Sequence, residues 1–153
     1  MVEENYHDTR KKVPRALKRL IEAHQSLADM ESLDSLLPVL LDLARNVTNA
    51  EAASIMLYDE QREVLQFAAA KDEFLGEKAS EVLRSAGELR KGEGIAGWVA
   101  QNKQPINLAE AQKDHRFSGK ADEKTGFITR NLLCAPLLYG EDLIGVINVL
   151  NHQ

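Results

Sequence analysis

At 153 residues, 44% of them hydrophobic and 28% charged, the chain has the size and composition of one soluble domain with a core of its own. Nineteen basic against 24 acidic residues leave a net charge of -5, which argues against a nucleic-acid footprint, because neutralising phosphates needs a concentrated basic face. No apolar run approaches the roughly 18 residues of a membrane span, and Met1-Val2-Glu3-Glu4-Asn5 lacks a signal peptide's basic start; with a single cysteine, this leads us to expect a cytoplasmic protein without a disulfide framework.

Apolar residues at Leu17, Leu20, Ile21, Leu27 and Met30, with charges between, predict an amphipathic helix over residues 13–30. Pro14 suits its first turn, where the missing N–H costs nothing. Leu17, Leu20, His24 and Leu27 follow the alternating three and four spacing of a coiled-coil seam, so the helix either docks on the domain's own core or pairs with a second copy. Arg10-Lys11-Lys12 with Arg15, Lys18 and Arg19 reads as its solvated side. A second helix is expected to start near Ser32 or Asp34 and run to Val47; Pro38 is tolerable only in a first turn, which favours the later cap.

The pattern then changes. Ala53-Ser54-Ile55-Met56-Leu57-Tyr58 and Val64-Leu65-Gln66-Phe67-Ala68 read as two strands joined by the polar turn Asp59-Glu60-Gln61-Arg62. The first is apolar on both faces, as a central strand covered on each side would be, and Ser54 is its polar exception. A weaker helix is expected over residues 74–83, loop chemistry over 85–91, and a short helix over 94–101 carrying Ile95, Trp98 and Val99 inward. Pro105-Ile106-Asn107-Leu108 is a short strand candidate. The polar connection over 110–126 exceeds ordinary loop length, so it is either functional or carries its own short helix. Residues 131–139, a Gly140-Glu141 turn and residues 142–150 make a strong hairpin.

Three patterns invite chemistry. Gly92-Glu93-Gly94-Ile95-Ala96-Gly97 matches the G-x-G-x-x-G of dinucleotide loops, but that motif needs an apolar strand before it and an acidic residue at the end of the next strand about 20 positions on. Both are missing. Cys134 sits in Leu132-Leu133-Cys134-Ala135, where a thiol reads as a small buried hydrophobe. His115 beside Asp114 lacks a third metal ligand in view, and no Ser-His-Asp or paired-carboxylate arrangement can be defended.

Four runs, in order, resemble the GAF domain of signalling proteins: Ala53-Ser54-Ile55-Met56-Leu57-Tyr58-Asp59, Gly92-Glu93-Gly94-Ile95-Ala96-Gly97-Trp98-Val99, Thr125-Gly126-Phe127-Ile128-Thr129-Arg130-Asn131-Leu132-Leu133-Cys134-Ala135-Pro136, and Ile144-Gly145-Val146-Ile147-Asn148-Val149-Leu150-Asn151. The resemblance implies an α+β, GAF/profilin-like fold, with a central antiparallel sheet of order 2-1-5-4-3 sandwiched between helical layers. It implies a boundary as well, with a signalling or dimerisation helix over residues 1–31 and the domain over 32–153. The Thr-Gly-Phe-x-Thr-Arg-Asn run is especially similar to GAF domains of phosphodiesterases and cyclases. By position, Ser54, Ile95, Ala96, Asp122, Thr125 and Thr129 match residues that line such pockets, and Asn148 takes a pocket-facing place where a cyclic-nucleotide binder can carry an acid.

On this resemblance the chain is expected to be a regulatory sensor that binds a small molecule and couples occupancy to its terminal helices. A cyclic nucleotide is one ligand it points to; a ligand-free dimerisation module is the alternative. Enzymatic branches of the family fit poorly, since reduction of free methionine sulfoxide needs a second, resolving cysteine. The expected partners are a second copy of the chain and an output domain, in the same chain beyond Gln153 or in another protein, with no nucleic acid, membrane or metal.

Overall fold

The computed structural model describes residues 33–153 apart from Phe74 and Glu77. The expected helix over 13–30, its seam and its basic side therefore lie outside the described residues.

Helix α1 (Leu33–Thr48) is followed by strands β1 (Ala52–Asp59) and β2 (Val64–Asp72), helix α2 (Lys78–Arg84), strand β3 (Glu88–Arg90) and helix α3 (Gly94–Asn102). Strand β4 (Ile106–Leu108), a 3-10 turn (Ala111–Lys113), helix α4 (Lys120–Thr125) and the hairpin of β5 (Leu132–Tyr139) and β6 (Asp142–Leu150) complete the domain. All pairings are antiparallel, in the order β3-β2-β1-β6-β5-β4.

With β3 set aside and the later strands renumbered, this is the order 2-1-5-4-3. Strand β3 was the unexpected element. Its Glu88-Leu89-Arg90 is too short and polar to carry an alternating signal, yet it pairs with Val64–Gln66 and is tied there by Arg62, which forks onto Glu88 with two 2.7 Å bonds.

Two other expectations shift. Pro38 lies inside α1, beyond its first turn, and costs the helix one interior bond. The helix is held by burial: Leu37 and Leu41 pack on Ala53, Ile55 and Ala69 of the sheet, and each fully buried leucine contributes roughly 1.5–3 kcal/mol. Helix α2 starts at Lys78, later than expected, because the chain after β2 turns back on itself with the Gly76 amide on the Asp72 carbonyl at 3.0 Å.

Each face of the sheet has its own helical layer. On one side α1 covers β1 and β2. On the other, α3 inserts Ile95, Ala96, Val99 and Ala100 against Met56, Leu65, Leu132, Cys134 and Val146. A bulge in β2 sets which residues reach this second face. Ile55 pairs with Ala69 but Met56 with Phe67, leaving Ala68 as the extra residue. Ala68 and Ala69 thus both pack toward α1, and Ala70 and Asp72 are delivered to the opposite side.

Candidate functional site

Between the sheet and the layer of α2, α3 and α4 lies a cavity of about 130 Å³. Its lining is mainly apolar, from Met56, Phe67, Ala70, Leu83, Phe117, Phe127 and Leu132 among others. All seven residues singled out from sequence, Ser54, Ile95, Ala96, Asp122, Thr125, Thr129 and Asn148, line this one space. They arrive from β1, α3, α4, the segment before β5, and β6.

Ser54 and Asn148 form the floor. They are partners in the β1–β6 ladder, both buried, and the Asn148 amide donates to the Ser54 hydroxyl at 3.1 Å. Ile95 and Ala96 form the start of α3. The first bond into this turn is from the Gly97 amide to the Glu93 carbonyl, and the Glu93 side chain does not cap the helix. The N–H groups of Gly94, Ile95 and Ala96 therefore precede any intrahelical bond, at the positive end of the helix dipole, and all three residues border the cavity.

The glycines that build this turn act through backbone geometry. Gly92 and Gly94 have φ of 88° and 66°, where a side chain is strained, and a Cβ on Gly97 would lie 2.6 Å from the Arg90 carbonyl oxygen. A phosphate-cradling dinucleotide loop is not formed: the three-residue β3 that precedes the turn is an edge strand of an antiparallel sheet.

Asp122 and the threonines are committed to one another more than sequence suggests. Both Asp122 carboxylate oxygens accept from Thr129, one from its amide at 2.8 Å and one from its hydroxyl at 2.7 Å. The Thr125 hydroxyl donates to the Ala121 carbonyl and accepts from the Phe127 amide. These three shape the wall. The other charged lining groups are also engaged, Lys71 with Asp42 of α1 at 2.6 Å and Asp72 with the Leu75 amide.

Sequence reading missed two supporting groups. Arg116 grips Asp114 through its side chain at 2.8 and 2.6 Å and stacks 4.9 Å from the Trp98 ring centre, tying the loop that carries Phe117 and Ser118 to α3. The Arg116 guanidinium holds the Asp114 carboxyl far below the usual carboxylate range. His115 points to solvent.

Asn151 is the second. Its carboxamide oxygen accepts from the Arg130 and Asn131 amides, and its nitrogen donates to Glu51 and to the Ile128 carbonyl. Its φ of 55° fits an asparagine. Cys134 of β5 lies fully buried in the core beneath α3, outside the cavity lining, and burial pushes its thiol up to about 12. Among the described residues no three His, Cys, Asp or Glu side chains cluster as metal ligands, and no helix is long and apolar enough to cross a membrane.

A family model for the GAF domain matches residues 32–153. The chain belongs to the GAF domain family. This is a regulatory sensor domain, found in signalling proteins such as the cGMP-specific phosphodiesterases. The chain is 31% identical over 129 residues to a probable 3',5'-cyclic phosphodiesterase of Caenorhabditis elegans, covering 82% of the chain and 18% of that protein. It is 40% identical over 112 residues to the cGMP-specific 3',5'-cyclic phosphodiesterase of Drosophila mojavensis, covering 72% of the chain and 9% of that protein. The chain thus spans less than a fifth of the length of either relative, and the matching part is the GAF region.

Solved GAF domains share the fold. The GAF domain of a phosphoenolpyruvate-protein phosphotransferase from Coxiella burnetii superposes with a TM-score of 0.74 at 22% identity, covering 90% of this chain and 78% of that one. The corresponding Acinetobacter domain gives 0.69 at 23% identity, with 92% and 79% covered.

Proposed function

We propose that this GAF domain binds one small molecule, with a cyclic nucleotide foremost, in the cavity between its sheet and the start of α3, and that occupancy regulates a homodimer and an attached or associated output protein. The observation that carries the reading is the convergence of seven residues from separate elements on one apolar cavity that retains a few polar groups.

The available polar groups suit a nucleotide. The unbonded amides of Gly94, Ile95 and Ala96 are placed for an anionic phosphate, and the Ser54–Asn148 pair offers donor and acceptor atoms to a base edge. Similarity to the cGMP-specific phosphodiesterases supports a cyclic nucleotide as the first ligand to test. Catalysis is no part of this reading, because the lone thiol is buried and held in its neutral form.

Calorimetry and native mass spectrometry with cyclic GMP, cyclic AMP and a broad metabolite panel test it. One ligand bound per protomer is the expected result; no binding across the panel sinks the proposal. Internal satisfaction of Asp122, Thr125 and Thr129 favours a second reading, a dimerisation module whose cavity needs no ligand. On that reading, removal of residues 1–30 abolishes the dimer, while Thr125→Ala and Asp122→Ala leave it unchanged.

A further inference from the structure

Strand β2 pairs with β3 only through Val64, Leu65 and Gln66, so from Phe67 onward no strand among the described residues lies on the side facing away from β1. A bare edge of this kind leaves backbone groups without partners. Here they are met one after another by groups that are not a strand. The Ala68 carbonyl accepts from the Arg84 guanidinium, the Ala70 amide donates to the Ser80 hydroxyl at 2.8 Å, and that hydroxyl donates back to the Ala70 carbonyl at 2.9 Å.

Ser80 and Arg84 both belong to α2, as do Ala79 and Leu83, which line the cavity. One short helix therefore closes the strand edge with one pair of side chains and walls the cavity with the other. Its apolar hold is small, Ala79 and Leu83 against Ala70, Phe67, Leu75 and Ala121, whereas α3 buries five residues. Space also lies on its far side: a groove of about 260 Å³ separates Ser80 and Arg84 from Leu37, Pro38 and Leu41 of α1.

We propose that α2 is the gate of the cavity, opening as a unit from β2 toward the groove beside α1, and that Ser80 and Arg84 are its latch. The gate rests on the ligand reading for its purpose, but its motion is testable without ligand. Elements with few buried contacts and side-chain anchorage open ahead of the whole fold.

Hydrogen exchange on the full chain, compared with labelling of buried Cys134 by a thiol reagent, separates local from global opening. In Ser80→Ala, exchange of the Ala70 amide and of the α2 amides should rise together by about tenfold, the effect of roughly one to two lost hydrogen bonds. Exchange in β1 and β6 and labelling of Cys134 should stay at the wild-type rate. Arg84→Met should behave alike, and Ser80→Thr, which keeps a hydroxyl, should restore slow exchange. The proposal is overturned if Ala70 alone speeds up, if nothing changes, or if Cys134 labelling rises in step. With cyclic GMP as probe, Ser80→Ala should raise association and dissociation rates alike; absence of cyclic GMP binding counts against that ligand, and the exchange result still decides the gate.

Discussion

Asn148 and Ser54 face each other across the β6–β1 ladder, joined by a 3.1 Å bond from the Asn148 amide to the Ser54 hydroxyl on the floor of the cavity. Ser54→Ala leaves a buried amide without its partner. It is expected to destabilise the domain by about 1–2 kcal/mol, read as a lower urea midpoint at unchanged slope. Adding Asn148→Leu removes the orphaned group and should recover part of the loss; equal additive losses would show that the pair does not interact.

Asp122 holds the buried Thr129 through both the amide and the hydroxyl. Asp122→Ala is expected to cost about 2–3 kcal/mol, since bonds to a charged acceptor are the stronger kind. The Thr129 amide should then exchange faster than its neighbours in β5. Unchanged protection of Thr129 would mean that the segment is held by something else.

Two glycines differ in how little room they have. A Cβ at Gly145 would sit 2.1 Å from the Met56 carbonyl oxygen, and one at Gly97 would sit 2.6 Å from that of Arg90. Backbone must move in both. Gly97→Ala is expected to cost about 1–3 kcal/mol and Gly145→Ala more than that, because it forces β6 away from the central strand β1. Thermal midpoints, or soluble yield where Gly145→Ala does not fold, give the order.

Acid should loosen the loop that walls the cavity. The Asp114 carboxyl is depressed in the folded state, first by its side-chain bonds to Arg116 and then by the Arg116 amide. Its stabilising contribution is therefore complete above the unfolded value of about 4 and is lost as pH falls from there toward the folded value. Trp98 is the only tryptophan and carries Arg116 on its ring, so its fluorescence should change only well below pH 4. In Asp114→Asn that transition should vanish; its persistence would assign it to another carboxylate.

The parts of the fold that sequence disclosed were those with a regular signal. Residues 131–150 alternate around a Gly-Glu turn, and the hairpin forms as β5 and β6. The seven lining residues were legible only through family resemblance. No periodicity in Asp122 or Thr129 says that they meet, because their bond depends on a helix, a left-handed Gly126 and a return of the chain.

What stayed hidden was irregular. Strand β2 was expected to end at Ala68, the bulge where its alternation fails, although it continues to Asp72. Pro38 favoured a helix starting late enough to hold it in the first turn, whereas tertiary burial keeps it inside the helix. The latch on β2 gave no signal, since Ser80 and Arg84 look like ordinary solvent-facing residues of a short helix.

The bulge also limits how this strand can vary in length. Because Ala68 has no partner of its own, deleting it would leave Phe67, Ala70 and Asp72 toward the cavity and Ala69 and Lys71 toward α1. Removing a residue outside the Ala68-Ala69-Ala70 run, or adding one elsewhere in β2, would exchange the two faces for everything on one side of the change. Loss of one residue from the Ala68-Ala69-Ala70 run, which gives the same sequence whichever alanine goes, is therefore the single-residue deletion in β2 that keeps both faces, and the pairing of Lys71 with Asp42, in place.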